Sequence, residues 1–192
     1  MGSLTLGVLL FAALAPASLV ALPFGALLLA AGPGTRGEWL WVALAAGAGT
    51  TLVAVPPGGM LDALSRLWIV LVTVAFVAGA ALRPPRQRRF WRLALRACLY
   101  AAAGVMLLVG PGSAAPRVWT QIQWEATRAA SRSVRYAVEV APGLYPAFEP
   151  AVRLFAAWPL WLVLESLAGL GLAWRGHALI ARTPLSATSL NT

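Results

Sequence analysis

The sequence predicts an all-α integral membrane protein, a bundle of about five transmembrane segments with one amphipathic helix at its surface. Three observations carry this. Apolar stretches at residues 4–31, 39–55, 61–82, 93–109 and 154–174 approach or exceed the ~20 residues that cross a bilayer. The chain is 60% hydrophobic and only 11% charged, where a soluble domain carries about 25% charged residues. Its arginines collect beside the apolar stretches rather than along them. Residues 1–178 are expected to form a single membrane domain and residues 179–192 a polar C-terminal tail.

The first stretch carries Pro16 and Pro23, each of which removes a helix hydrogen bond. It is either one long kinked helix or a re-entrant element, and a single crossing would leave the N-terminus outside. No positive n-region precedes it, so it is expected to be retained rather than cleaved as a signal. The second stretch ends at Pro56-Pro57-Gly58-Gly59, a turn without arginine. The third opens with Asp62 and Arg66, spaced for a local ion pair. Between the third and fourth stand Arg83, Arg86, Arg88, Arg89 and Arg92, with Arg96 just inside the fourth. The positive-inside rule places that connection in the cytoplasm. Counting outward, the Pro-Pro-Gly-Gly turn and the 110–153 connection share the outer side, and the tail with Arg175 and Arg182 lies inside.

The 110–153 connection holds its own helix, expected at residues 116–140, with Pro116 in its first turn and Pro142-Gly143 as its stop. On a helical wheel Arg117, Gln121, Glu125, Arg128, Arg132, Arg135 and Glu139 share an arc of about 80°. Trp119, Ile122, Ala126, Ala130, Ser133, Ala137 and Val140 fill the flank and far side. Glu125/Arg128 and Arg135/Glu139 are spaced for ion pairs. The helix suits a membrane interface, with Arg128, Arg132 and Arg135 against anionic lipid or ligand. A solvated helix capping the bundle fits the same pattern.

Glu165 stands near the middle of the last stretch. A carboxylate there costs at least ~2.5 kcal/mol on insertion scales, so it must face the bundle or a water-filled cavity. It is either a substrate or ion site, or a structural group that is neutral and hydrogen-bonded or paired with an arginine. His177 stands alone just past that stretch and cannot build a metal site by itself. Cys98 is the single cysteine and reads as a packing residue. Ser166, Gly169, Gly171, Gly47 and Gly49 would let helices approach closely. Trp39, Trp41, Trp91 and Trp174 would form an aromatic belt.

All fifteen basic residues are arginine, which with the Ala, Gly and Pro content reads as the codon bias of a GC-rich bacterial genome and suggests the inner membrane. The net charge of +9 comes from arginines beside membrane segments, so nucleic acid is not an expected partner. No HExxH, Walker A, GxSxG or aspartate-rich run is present. Neither an enzyme activity nor a cofactor is expected.

Two stretches, Leu9-Leu-Phe-Ala-Ala-Leu-Ala-Pro16 with Leu22-Pro-Phe-Gly-Ala-Leu-Leu-Leu-Ala30, and Leu154 to Trp174, resemble the YybS-like family of bacterial membrane proteins. That family is distantly similar to the substrate-binding subunits of energy-coupling-factor transporters. The resemblance implies a short or truncated member, without established catalytic residues. The expected function is therefore a small-solute binding or transport subunit, and the alternative is a membrane scaffold or assembly protein. Expected partners are the lipid bilayer, and other membrane proteins or further copies of this chain.

Overall fold

The computed structural model describes residues 17–82, 89–110, 112, 114–181 and 185. Pro16, the connection at 83–88, and Arg182 with most of the tail lie outside the described residues. Among the described residues seven α-helices follow one another: α1 Ser18–Ala31, α2 Arg36–Ala54, α3 Met60–Leu82, α4 Phe90–Val109, α5 Ala115–Val140, α6 Phe148–Phe155 and α7 Trp158–Ile180. A short 3-10 turn at Pro142–Ala147 joins α5 to α6. No strand occurs among the described residues.

By length and apolarity α3 and α4 can each cross a membrane, with mean hydropathies of 2.0 and 1.7. Pro142–Phe155 and Trp158–Ile180 qualify only as a pair, bent by 69°. Among the described residues two to three helices are thus long and apolar enough to cross a membrane, where about five crossings were expected. α1 has 14 described residues with Pro23 inside it, and α2 is diluted by Arg36, Glu38, glycines and threonines.

Helix directions follow from which residues meet. A side chain at Gly25 would meet Ala45, and one at Gly49 would meet Leu22, so α1 and α2 are antiparallel. Gly79 meets Leu93 and Gly104 meets Leu71, so α3 and α4 are too. Gly169 meets Leu19 and Gly176 meets Phe24, so α1 and α7 run the same way. Trp68 bonds Ser166 and Phe76 packs on Trp174, so α3 and α7 do as well. The core fills the space between α3, α4 and α7 with Phe76, Val72, Leu93, Ala97, Leu170 and Trp174.

The turns are held by side chains. Gly32, at φ 79°, ends α1. Thr35 then caps α2: its hydroxyl accepts the Glu38 N–H at 3.2 Å, while the Glu38 carboxylate accepts the N–H groups of Thr35 and Gly34 at 3.0 and 2.6 Å. The expected Asp62–Arg66 pair forms at 2.8 Å. It also clamps the Pro-Pro-Gly-Gly turn: Asp62 accepts the Gly58 N–H at 2.9 Å, and Arg66 donates to the carbonyls of Leu52, at 2.9 Å, and Val55.

α5 spans Ala115–Val140 as expected, and its arginines are exposed while Ile122, Ala126, Ala130 and Val134 are buried. Ser133, Ala137 and Val140 are nonetheless exposed. The buried stripe advances in four-residue steps against the start of α3 and against α6, so α5 caps one end of the bundle. Neither ion pair expected on α5 forms: Arg128 lies 5.1 Å from the Trp124 ring centre, and Arg135 and Glu139 are not paired. Glu125 instead reaches the first turn of α3 and accepts the N–H groups of Leu61 at 2.8 Å and Met60 at 3.2 Å. Gln121 donates to the same carboxylate at 2.9 Å, and Gly59 leaves the room this approach needs. The carboxylate thus supplies the orphan donors of α3 with acceptors.

These bonds, with Leu61 first, hold the Glu125 carboxyl below the usual glutamate range. A depressed folded pKa gives stability that is present above the unfolded value, about 4.3, and is lost as pH falls through the folded one. Glu125→Gln should therefore melt a few degrees below wild type at pH 7, and the gap should close below roughly pH 4. A gap that persists in acid would show that the charge is not what matters.

Three further expectations are corrected. Trp174 is a core residue, 8% exposed, whereas Trp39, Trp41 and Trp91 do face outward. His177 lies within α7, fully buried, and its Nε2 accepts the Leu185 N–H at 3.1 Å. Gly47 meets nothing within 4 Å, although Gly49 and Gly169 do sit at close helix approaches. Cys98 is buried and unbridged, as expected.

Candidate functional site

The last apolar stretch is not one straight helix. α6 ends at Phe155, the chain turns through Ala156 and Ala157, and α7 restarts at Trp158 with Pro159 in its first turn. Proline suits that position because it has no N–H to leave unpaired. The break moves Glu165 from the middle of a span to the second turn of α7, near 10 Å from its start at 1.5 Å per residue.

There Glu165 lines an open groove of about 440 Å³. α3 contributes Leu61 and Ser65, α5 contributes Ala126, Ala129, Ala130 and Ser133, and Phe155, Trp158, Trp161 and Leu162 complete the wall. Two stacked aromatic pairs fix its indoles: Trp119 on Trp158, with centroids 6.0 Å apart and planes 9° apart, and Phe155 on Trp161, at 5.7 Å and 8°. Trp161 is held further by its Nε1, which donates to the Leu154 carbonyl at 3.0 Å. The small residues of α5 leave the space that larger ones would fill.

Glu165 is half-buried, and among the described residues its carboxylate has neither an ion pair nor a hydrogen bond. Among the described residues no arginine lines the groove. Arg128, Arg132 and Arg135 lie on the exposed arc of α5, so the expected site residues fall into two groups that the fold does not bring together. At the next position of α7, Ser166 is buried and accepts the Trp68 Nε1–H at 2.8 Å while donating to the Leu162 carbonyl at 2.6 Å. That bond pins α7 against α3 and fixes the rotation that turns Glu165 toward α5.

Sequence reading singled out Glu165 but missed its neighbours. Pro159 was the available signal that the last stretch breaks, and it would have placed Trp158 and Trp161 on the same face of one helix as the acid. Ser65 and Ser133 carried no such signal, because they meet Glu165 only through the packing of α5 on α3. Among the described residues no cluster of His, Cys, Asp and Glu can hold a metal ion. Comparison with known protein families, curated proteins and solved structures gave no match.

Proposed function

We propose that this is a multi-pass membrane protein, without enzymatic activity of its own, that binds a small solute in the Glu165 groove as the binding or transport subunit of a larger assembly. The observation that carries the reading is a half-buried carboxylate on the wall of a cavity with no group among the described residues to neutralise it. An uncompensated charge at that depth is costly, and sites that keep one are usually built for a ligand or a proton. The alternating helix directions support five crossings: α1, α3 and α7 point one way and α2 and α4 the other. So does the apolar exterior, with Leu40 at 61% exposed, Leu99 at 68% and Leu107 at 75%, far more than a water-facing bundle leaves open. The exposed arginines Arg89, Arg92, Arg96 and Arg175 would then mark the cytoplasmic side, and α5 the outer one. The YybS-like resemblance is consistent with this reading and is part of the proposal.

The test is a thermal-shift screen of small amines, carboxylates, sugars and metal cations on the purified protein. Glu165→Gln should melt at or above wild type, because the carboxylate has no partner to lose and its uncompensated charge is removed. One solute class at 100 times its Kd should stabilise wild type by about 2.7 kcal/mol and leave the variant unmoved. A screen in which no solute separates the two proteins would sink the reading. A second reading, a scaffold or assembly protein, is favoured by one observation: Ala43, Gly47 and Thr51 lie exposed at four-residue spacing on α2, a pattern that lets another helix approach closely.

A further inference from the structure

We infer that the ligand of the Glu165 groove is a protonated amine carrying an apolar body. This rests on the groove being a ligand site and adds the chemistry of its occupant. The side-chain donors on its wall are nearly all spent. Ser65 Oγ donates to the Asp62 carbonyl at 2.9 Å, Ser133 Oγ to that of Ala129 at 3.2 Å, and Trp161 Nε1 to that of Leu154 at 3.0 Å. Among the described lining residues only Trp158 keeps a side-chain N–H without an acceptor. A hydroxyl has one proton to give, so both serines present lone pairs to the groove. With the Glu165 carboxylate, the polar face of the cavity is a set of acceptors with one formal negative charge.

The helix starts nearby would ordinarily favour an anion. At α3 that tendency is spent, because Glu125 already takes the N–H groups of Met60 and Leu61. The arginines that would attract an anion lie on the far arc of α5. An ammonium group supplies both the donors and the counter-charge that the wall lacks, and the indole faces of Trp158 and Trp161 are suited to its positive charge. Leu61, Leu162, Phe155 and the alanines of α5 would enclose an alkyl or aryl body. A free amine and the ethanolamine headgroup of a lipid share this chemistry.

The experiment uses the full chain in maltoside micelles, with Ser133→Cys in a Cys98→Ala background, and measures how phenethylamine or its neutral counterpart 2-phenylethanol slows maleimide labelling at pH 7. Phenethylamine should protect Cys at that position with an affinity at least roughly tenfold above 2-phenylethanol. Adding Glu165→Gln should remove that difference. Equal protection by both compounds would overturn the amine assignment and leave the groove as a solute site. Protection by neither would overturn the groove reading as well. Micelles doped with phosphatidylethanolamine, but not with phosphatidylglycerol, should weaken phenethylamine protection if the occupant is a lipid headgroup. Unchanged protection would assign a free amine, and either result keeps ammonium recognition.

Discussion

Gly169→Leu should lower the stability of the protein by at least about 3 kcal/mol, the upper part of the range for an overpacked core. A Cβ at this position would lie 2.8 Å from the backbone oxygen of Leu19 and 3.2 Å from its carbonyl carbon. Backbone cannot rotate away as a side chain can, so α1 and α7 would have to part. Gly169→Ala tests the same point more gently. Alanine gains up to ~1 kcal/mol of helix propensity over glycine, yet the variant should still lose about 1–3 kcal/mol. Gly171→Ala is the control, because its new methyl would meet only the tip of the Phe90 ring at 3.5 Å, and it should melt at or above wild type. Thermal unfolding followed by circular dichroism ranks the three. If Gly169→Ala melts with wild type, the close crossing of α1 and α7 is not present.

Trp68→Ala should cost about 3–5 kcal/mol, since it empties a core position and removes the donor that Ser166 accepts. Ser166→Ala should cost about 1–3 kcal/mol for a different reason: it leaves the Trp68 indole N–H buried without an acceptor. Trp68→Phe keeps an aromatic ring and deletes the donor, so Trp68→Phe with Ser166→Ala should cost less than the two single changes summed. Strict additivity in that double-mutant cycle would mean the bond contributes nothing. Loosening this contact should also weaken the solute binding proposed at Glu165, because Ser166 and Glu165 are adjacent on α7.

α3 and α4 were legible in the sequence because apolar length needs no partner to be read. α5 was legible because its arginines and its Ile122-Ala126-Ala130 stripe repeat at helical spacing. The Asp62–Arg66 pair is local and was equally readable. What escaped were contacts between residues far apart in the chain. Glu125 has Arg128 and Gln121 one turn away, and only the fold shows that the first turn of α3 outbids the arginine. Trp174 looks like a belt residue from its place at the end of an apolar run, and only the arrival of Phe76 beside it makes it core. Glu165 was identifiable as costly, but its groove depends on the Pro159 break and on α5 returning across the bundle end.

The α1–α2 and α3–α4 hairpins are each made of neighbours in sequence, so both can form while the chain is still being synthesised. α7 is translated after them and supplies Leu162, Ser166, Leu170 and Trp174 to a core whose other walls are already present. Until it arrives, Phe76 and the Trp68 indole face an unfilled seam, and Leu19 has no Gly169 against it. A ribosome paused before Trp158 would therefore hold a nascent chain open along one side, the state most exposed to quality-control proteases and most dependent on a membrane insertase or chaperone.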